Sequence, residues 1–170
     1  MKDGEAMLRE IERDELEPLA TGAWILGAGG GGSPYLSYLN MRNLYEGGTR
    51  VKLMDPMALE DDDLVAVVSN MGAPLVGQER LSDPAFAAKP LRAMEDYLQK
   101  KFRAVMSVEV GGGNALQPLQ VAAMTGLPVV DADSMGRAFP EAQMTSFAIA
   151  DLPMVPLTLA DIRDNEVVVT

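Results

Sequence analysis

Cysteine and histidine are both missing from this 170-residue sequence. Their absence removes disulfides, thiolate nucleophiles, histidine-based triads and the usual zinc ligands together. Chemistry must therefore run on carboxylates, hydroxyls, amides, lysine or arginine. Basic charge is scarce too: 14 Lys and Arg stand against 25 Asp and Glu, a net charge of −11, and no basic run exceeds Lys100-Lys101. Such a surface suits neither nucleic acid nor an anionic membrane. No apolar segment approaches the ~20 residues that cross a bilayer, and the polar, acidic first 14 residues do not read as a signal peptide, so the expected location is the cytoplasm. What remains is one ordinary folded domain, or one domain with an appendage, since 48% hydrophobic residues are enough to bury a core. The twelve methionines do not cluster and read as adaptable core filling.

Glycine, by contrast, is concentrated. Five of the six positions from Gly27 to Gly32 are glycine, a run that loses much backbone freedom on folding and so requires a reason. Ser33 and Pro34 follow as N-cap and first helical residue. A glycine loop entering a helix offers amide N–H groups to a phosphate, a carboxylate or an anionic ring. The reading adopted is a binding loop at Gly29, Gly30, Gly31, Gly32 and Ser33; its alternative is close packing of bare backbone.

Before this loop, Asp14 is expected to cap a helix from Glu15 to about Leu26, after a frayed, charged start. An opposing reading makes Ala23 to Leu26 a short strand. Gly27, Gly29 and Gly32 would then form a G-x-G-x-x-G, with Asp55 twenty-three residues beyond, as in a dinucleotide site. After the loop come a helix over 34–46, a strand over 50–54, a continuous apolar strand Leu64 to Val68 that reads as buried on both faces, a loop from Gln78 to Pro84 and a helix over 85–101. Phe86, Leu91, Met94, Tyr97 and Leu98 should face inward from that helix, as should Leu36, Leu39, Met41, Leu44 and Tyr45 from the earlier one. Strand 104–110 ends in Gly111-Gly112-Gly113, Asn114 caps a helix to Thr125, and Leu127 to Val130 is a third buried strand.

Strand, loop, helix, strand occurring twice in succession implies a parallel sheet. The expected fold is α/β: a three-layer sandwich with a mainly parallel sheet and helices on both faces, spanning residues 1–150. Residues 151–170 read as a short β-rich extension, with a hairpin around Asp164-Asn165, and as the start of a second domain. In such sheets ligands bind outside the carboxyl ends of the strands, so Asn70 to Pro74, Gly111 to Asn114 and Asp131 to Arg137 should line one edge.

Three carboxylates sit near that edge: Glu109, Asp131 and Asp133. They suit a general base or a hard divalent-metal site, or else simple loop acceptors with Arg137 as a partner. Asn70 and Asn114 can donate to and accept from a cyclic amide, though a turn former and an N-cap are their plainer roles.

Three segments together carry a family resemblance: Ala20-Thr21-Gly22-Ala23 through Gly29-Gly30-Gly31-Gly32-Ser33-Pro34-Tyr35, then Glu109-Val110-Gly111-Gly112-Gly113-Asn114-Ala115, then Asp131-Ala132-Asp133-Ser134-Met135-Gly136-Arg137-Ala138-Phe139-Pro140. They resemble the N-terminal domain of the S-methyl thiohydantoin desulfurase-like family, a hydantoin-utilisation-associated group once listed as a domain of unknown function. The resemblance implies a longer protein with an α/β first domain and a β-rich second one. It also implies loss of methanethiol from an S-methylated thiohydantoin, or chemistry on a related small ring. Glu109, Asp131 or Asp133 would be the base, with Arg137 beside them and the glycine loops as donors. No metal or cofactor is assigned. The expected partners are a small-molecule substrate and either an identical subunit or the β-rich second domain.

Overall fold

The computed structural model describes residues 7–72 and 83–170. The expected exit loop at Ala73-Pro74 and most of the loop from Gln78 to Pro84 lie outside the described residues. The main sheet contains β1 (Leu8–Glu10), β2 (Lys52–Met54), β3 (Val65–Val68), β4 (Ala104–Ser107) and β5 (Val129–Val130), in the order β1-β2-β5-β4-β3. β2, β5, β4 and β3 run parallel, and β1 closes one edge antiparallel to β2. Part of the expected frayed start is therefore a strand, pinned because Leu8 pairs with Met54 and Glu10 with Lys52.

The longer helices are α1 (Leu16–Leu26), α2 (Tyr35–Glu46), α3 (Lys89–Leu98) and α4 (Gln117–Thr125). The sequence β3, α3, β4, α4, β5 lays successive strands side by side, as short crossovers dictate. Helix boundaries shift from expectation for local reasons. Glu12 and Glu15 form a capping box ahead of α1 in place of the expected Asp14 cap, with the Glu12 N–H donating to Glu15 Oε2 at 2.7 Å. α2 starts one residue late, with Pro34 in the cap position and the Tyr35 N–H reaching Ser33 Oγ at 3.2 Å. Residues 84–88 form a 3-10 turn before α3, and Gly126, at φ +77°, ends α4 in the left-handed region that suits glycine.

Strand alternation divides the interior. Ala66, Val105, Val129 and Leu53 are paired across the sheet and share one face. They pack on Leu16, Ala20 and Ala23 of α1, Met41 and Tyr45 of α2, Leu91 of α3 and Leu119, Val121 and Ala122 of α4. Fully burying a side chain such as Leu16 or Met41 contributes about 1.5–3 kcal/mol. The opposite face carries Met54, Ala104, Met106 and Val130, covered by Leu8, Ala58, Leu59 and Phe147. Among the described residues the helical cover there is the single turn α5 (Ser146–Ile149) and the 3-10 turn Pro56–Ala58. β3, read as buried on both faces, instead leaves Val67 43% exposed. Leu36 and Tyr97, expected inward, are exposed.

The C-terminal residues form the expected hairpin: β6 (Leu157–Ala160) pairs antiparallel with β7 (Glu166–Val169). Asp161 organises its turn by accepting from the Arg163 and Asn165 N–H groups at 2.8 and 3.0 Å. The hairpin is tied to α3 by Thr158 Oγ1 donating to the Pro90 carbonyl at 2.7 Å and by the Lys89–Asp164 ion pair. Among the described residues no helix is long and apolar enough to cross a membrane.

Candidate functional site

Two glycine loops stack on each other at the carboxyl ends of the parallel strands. The Gly113 N–H donates to the Gly31 carbonyl at 3.0 Å, and the Ala138 N–H donates to the Leu26 carbonyl at 3.1 Å. The end of α1, the turn after β4 and the turn after β5 therefore make one edge.

The glycines fall into two sets. A Cβ on Gly31 would stand 2.9 Å from the Gly111 carbonyl oxygen, one on Gly111 2.4 Å from the Ala138 nitrogen, and one on Gly112 1.9 Å from the Gly31 oxygen. A Cβ on Gly27 would lie 3.0 Å from the Gly112 nitrogen. Backbone here lies directly on backbone, so close packing accounts for these four glycines without a ligand. Gly29 and Gly30 face open space. The N–H groups of Gly29, Gly32 and Ser33 donate to no partner among the described residues.

The dinucleotide alternative fails locally. Ala23 to Leu26 is the last turn of α1, not a strand, so the glycine loop follows a helix. Asp55 Oδ1 accepts from the Met57 N–H at 2.8 Å as the cap of a 3-10 turn.

Glu109 is only 6% exposed just beyond β4. Its Oε1 accepts from Asn114 Nδ2 at 2.7 Å and its Oε2 from the Phe139 N–H at 3.0 Å. Among the described residues no lysine or arginine pairs with it. Asp133 Oδ2 accepts from the Val110 and Gly136 N–H groups at 2.8 and 2.7 Å. These two carboxylates clamp the β4 turn to the β5 turn, as loop acceptors do. Ser134, 2% exposed, adds a third tie through Oγ to the Val108 carbonyl at 2.5 Å.

Asp131 and Arg137 are exposed. The Arg137 Nε donates to the Ala138 carbonyl at 3.0 Å, and among the described residues its guanidinium makes no ion pair with an acid. The Asp131 charge reaches back toward Arg9, adding to an upward shift of that guanidinium's pKa that is due first to its hydrogen bond with Glu15. Glu109, Asp131 and Asp133 do not gather as metal ligands: among the described residues no group of three or more acids could hold an ion.

Asn114 is not the expected N-cap. A 3-10 turn covers 112–115 and α4 begins at Gln117, so the Asn114 amide turns sideways. It donates to Glu109 and accepts from the Asn70 N–H at 2.7 Å. Asn70 Nδ2 in turn donates to Gln117 Oε1 at 3.0 Å. Gln117, 5% exposed, carried no sequence signal beyond its place before Pro118. An open depression of about 520 Å³ lined by Asp62 to Leu64 and Lys100 to Arg103 lies at the other ends of β3 and β4.

An X-ray structure of a protein from Chromobacterium violaceum is similar at 30% identity with a TM-score of 0.82, over 95% of this chain and 44% of that one. The chain therefore spans less than half the length of that protein. No curated protein matches. Residues 14–170 match the family described as S-Me-THD-like, N-terminal domain, and the chain belongs to that family.

Proposed function

We propose that this chain is the first part of a cytoplasmic enzyme acting on a hydantoin-like cyclic amide, by hydrolytic loss of methanethiol from an S-methyl thiohydantoin or by related ring chemistry. The observation that carries the reading is the direct bonding of all three family motifs at one strand-end edge: Gly31 to Gly113, Leu26 to Ala138, and Glu109 to Phe139.

The roles divide by availability. Glu109 has both oxygens engaged and Asp133 spends Oδ2 on two amides, which leaves Asp131 as the exposed general base. Asp131 takes a proton from water as the hydroxide oxygen adds to the ring carbon bearing sulfur and the C=N π pair moves to the ring nitrogen, which receives that proton from Asp131. The C–S bond then breaks as the added hydroxyl gives up its proton and becomes the carbonyl, and the thiolate leaves with that proton as methanethiol. Arg137 and the N–H groups of Gly29, Gly32 and Ser33, which have no partner among the described residues, are the donors to charge on the ring. Methanethiol release by the full chain, read with a thiol reagent, tests this. Asp131→Asn should slow release by about 10²-fold or more; release equal to the parent overturns the assignment.

A second reading is favoured by the exposed apolar surface of Trp24 (58%), Ile25 (74%) and Ile149 (89%) and the hairpin valines. In it these faces are covered by an identical subunit or by a β-rich second domain, and residues 1–150 and 151–170 belong to separate units. Sedimentation of the full chain as a compact monomer that binds no apolar dye would count against it.

A further inference from the structure

We infer that Asn70 and Gln117 form a complementary amide pair that reads adjacent N–H and C=O groups on one edge of a ring, and so set the specificity of the proposed site. The inference rests on the ring-processing reading above and concerns which ring edge is recognised. Asn70 Nδ2 donates to Gln117 Oε1 at 3.0 Å. Two primary amides that share only one hydrogen bond leave other groups over, among them the acceptor Asn70 Oδ1 and the donor Gln117 Nε2. Neither makes another hydrogen bond among the described residues.

Gln117 is 5% exposed, yet its Nε2 is not sealed in. Among the described residues no side-chain polar atom shut off from solvent lacks a partner, so the unpartnered Nε2 must touch solvent. The Nε2 donor thus has no partner among the described residues and stays open, from the solvent side, to a ligand acceptor. Both anchors of the pair are fixed. The Asn70 backbone N–H is held by Asn114 Oδ1, itself bound to Glu109, and Gln117 opens α4 beside the buried Pro118. The acceptor suits a ring N–H and the donor suits the neighbouring ring carbonyl. A lactam or imide presents that arrangement, and N-methylation destroys it. A site built to bond an N–H discriminates strongly against an analogue that lacks it.

Binding of succinimide and N-methylsuccinimide to the full chain tests the pair, read by NMR at the side-chain amides of Asn70 and Gln117, beside methanethiol release from an S-methyl thiohydantoin. The expected result is shifts at both amides, at least tenfold weaker binding of the N-methyl compound, and weaker binding of both imides in Gln117→Glu, which keeps Oε1 and removes the donor to the ring carbonyl. Asn70→Ser, which removes Oδ1, should lose the preference for the N–H compound, and guards against a fold defect in the glutamate variant. Methanethiol release with no imide preference, or a preference unchanged in Asn70→Ser, or binding of both imides unchanged in Gln117→Glu, overturns the pair while the ring-processing reading stands. Imide selectivity at these residues without methanethiol release keeps the pair and overturns that reaction. Neither binding nor release overturns both.

Discussion

Gly112→Ala is the substitution whose cost the structure fixes most tightly. Gly112 sits at φ +67°, where an L-residue loses roughly 1–2 kcal/mol. Its new Cβ would also lie 1.9 Å from the Gly31 oxygen and 2.2 Å from the Gly31 carbonyl carbon. Those atoms are backbone, so no side chain can rotate away. The loops must part, and the Gly113-to-Gly31 hydrogen bond stretches or breaks, worth about 0.5–1.5 kcal/mol more. With overpacking of about 1–3 kcal/mol the sum is roughly 2.5–6.5 kcal/mol, a large share of a domain's stability. Gly30→Ala is the control, because a Cβ there meets nothing within 4 Å; it should change stability by less than about 1 kcal/mol in either direction. Urea unfolding of the two variants separates them by midpoint. Equal midpoints would refute loop-on-loop packing as the reason for the second glycine run.

Tyr45→Phe should cost about 1–3 kcal/mol, because the buried hydroxyl donates to the Ile11 carbonyl and accepts from the Val51 N–H, at 3.0 and 3.3 Å; chemical denaturation at neutral pH reads it. Burial also holds the Tyr45 pKa above its ordinary 10.0. The neutral phenol therefore stabilises the fold fully below pH 10, and that stability is lost as pH rises through the folded value; the alkaline limb should shrink in the phenylalanine variant. Glu15 has the opposite sign: its hydrogen bonds to Arg9 and the Glu12 N–H hold it below 4.5, so its contribution is present above pH 4.5 and fades as pH falls through the lowered value, and Arg9→Ala should flatten that acid limb. Glu109→Gln should destabilise by about 1–3 kcal/mol, since an amide cannot accept from both Asn114 and Phe139, whereas Asp131→Asn should stay within about 0.5 kcal/mol by thermal melting.

The parallel sheet was legible because its strands are short apolar runs stopped by polar or glycine-rich turns, and the strand-end edge followed from that order. α1 was harder. Its core face is Leu16, Ala20 and Ala23, while Trp24 and Ile25 point outward. The largest residues are thus on the wrong side for a simple amphipathic reading, and Trp24-Ile25-Leu26 could pass for a strand. The need for alanine there comes from the closeness of α1 to the Gly112 turn, which no local pattern records. The division of the glycines was equally hidden, because a glycine facing open space and one facing a carbonyl look alike in sequence. Gln117 was invisible for a related reason: its partner Asn70 is 47 residues away.

The most direct test of the central claim is a crystal structure of the full chain soaked with hydantoin. The ring should lie at the strand-end edge, within hydrogen-bond distance of Asn70 or Gln117 and beside Asp131, with the Gly29 to Ser33 amides facing it. A ring found instead in the depression between Asp62 and Arg103, at the opposite ends of β3 and β4, would contradict the account.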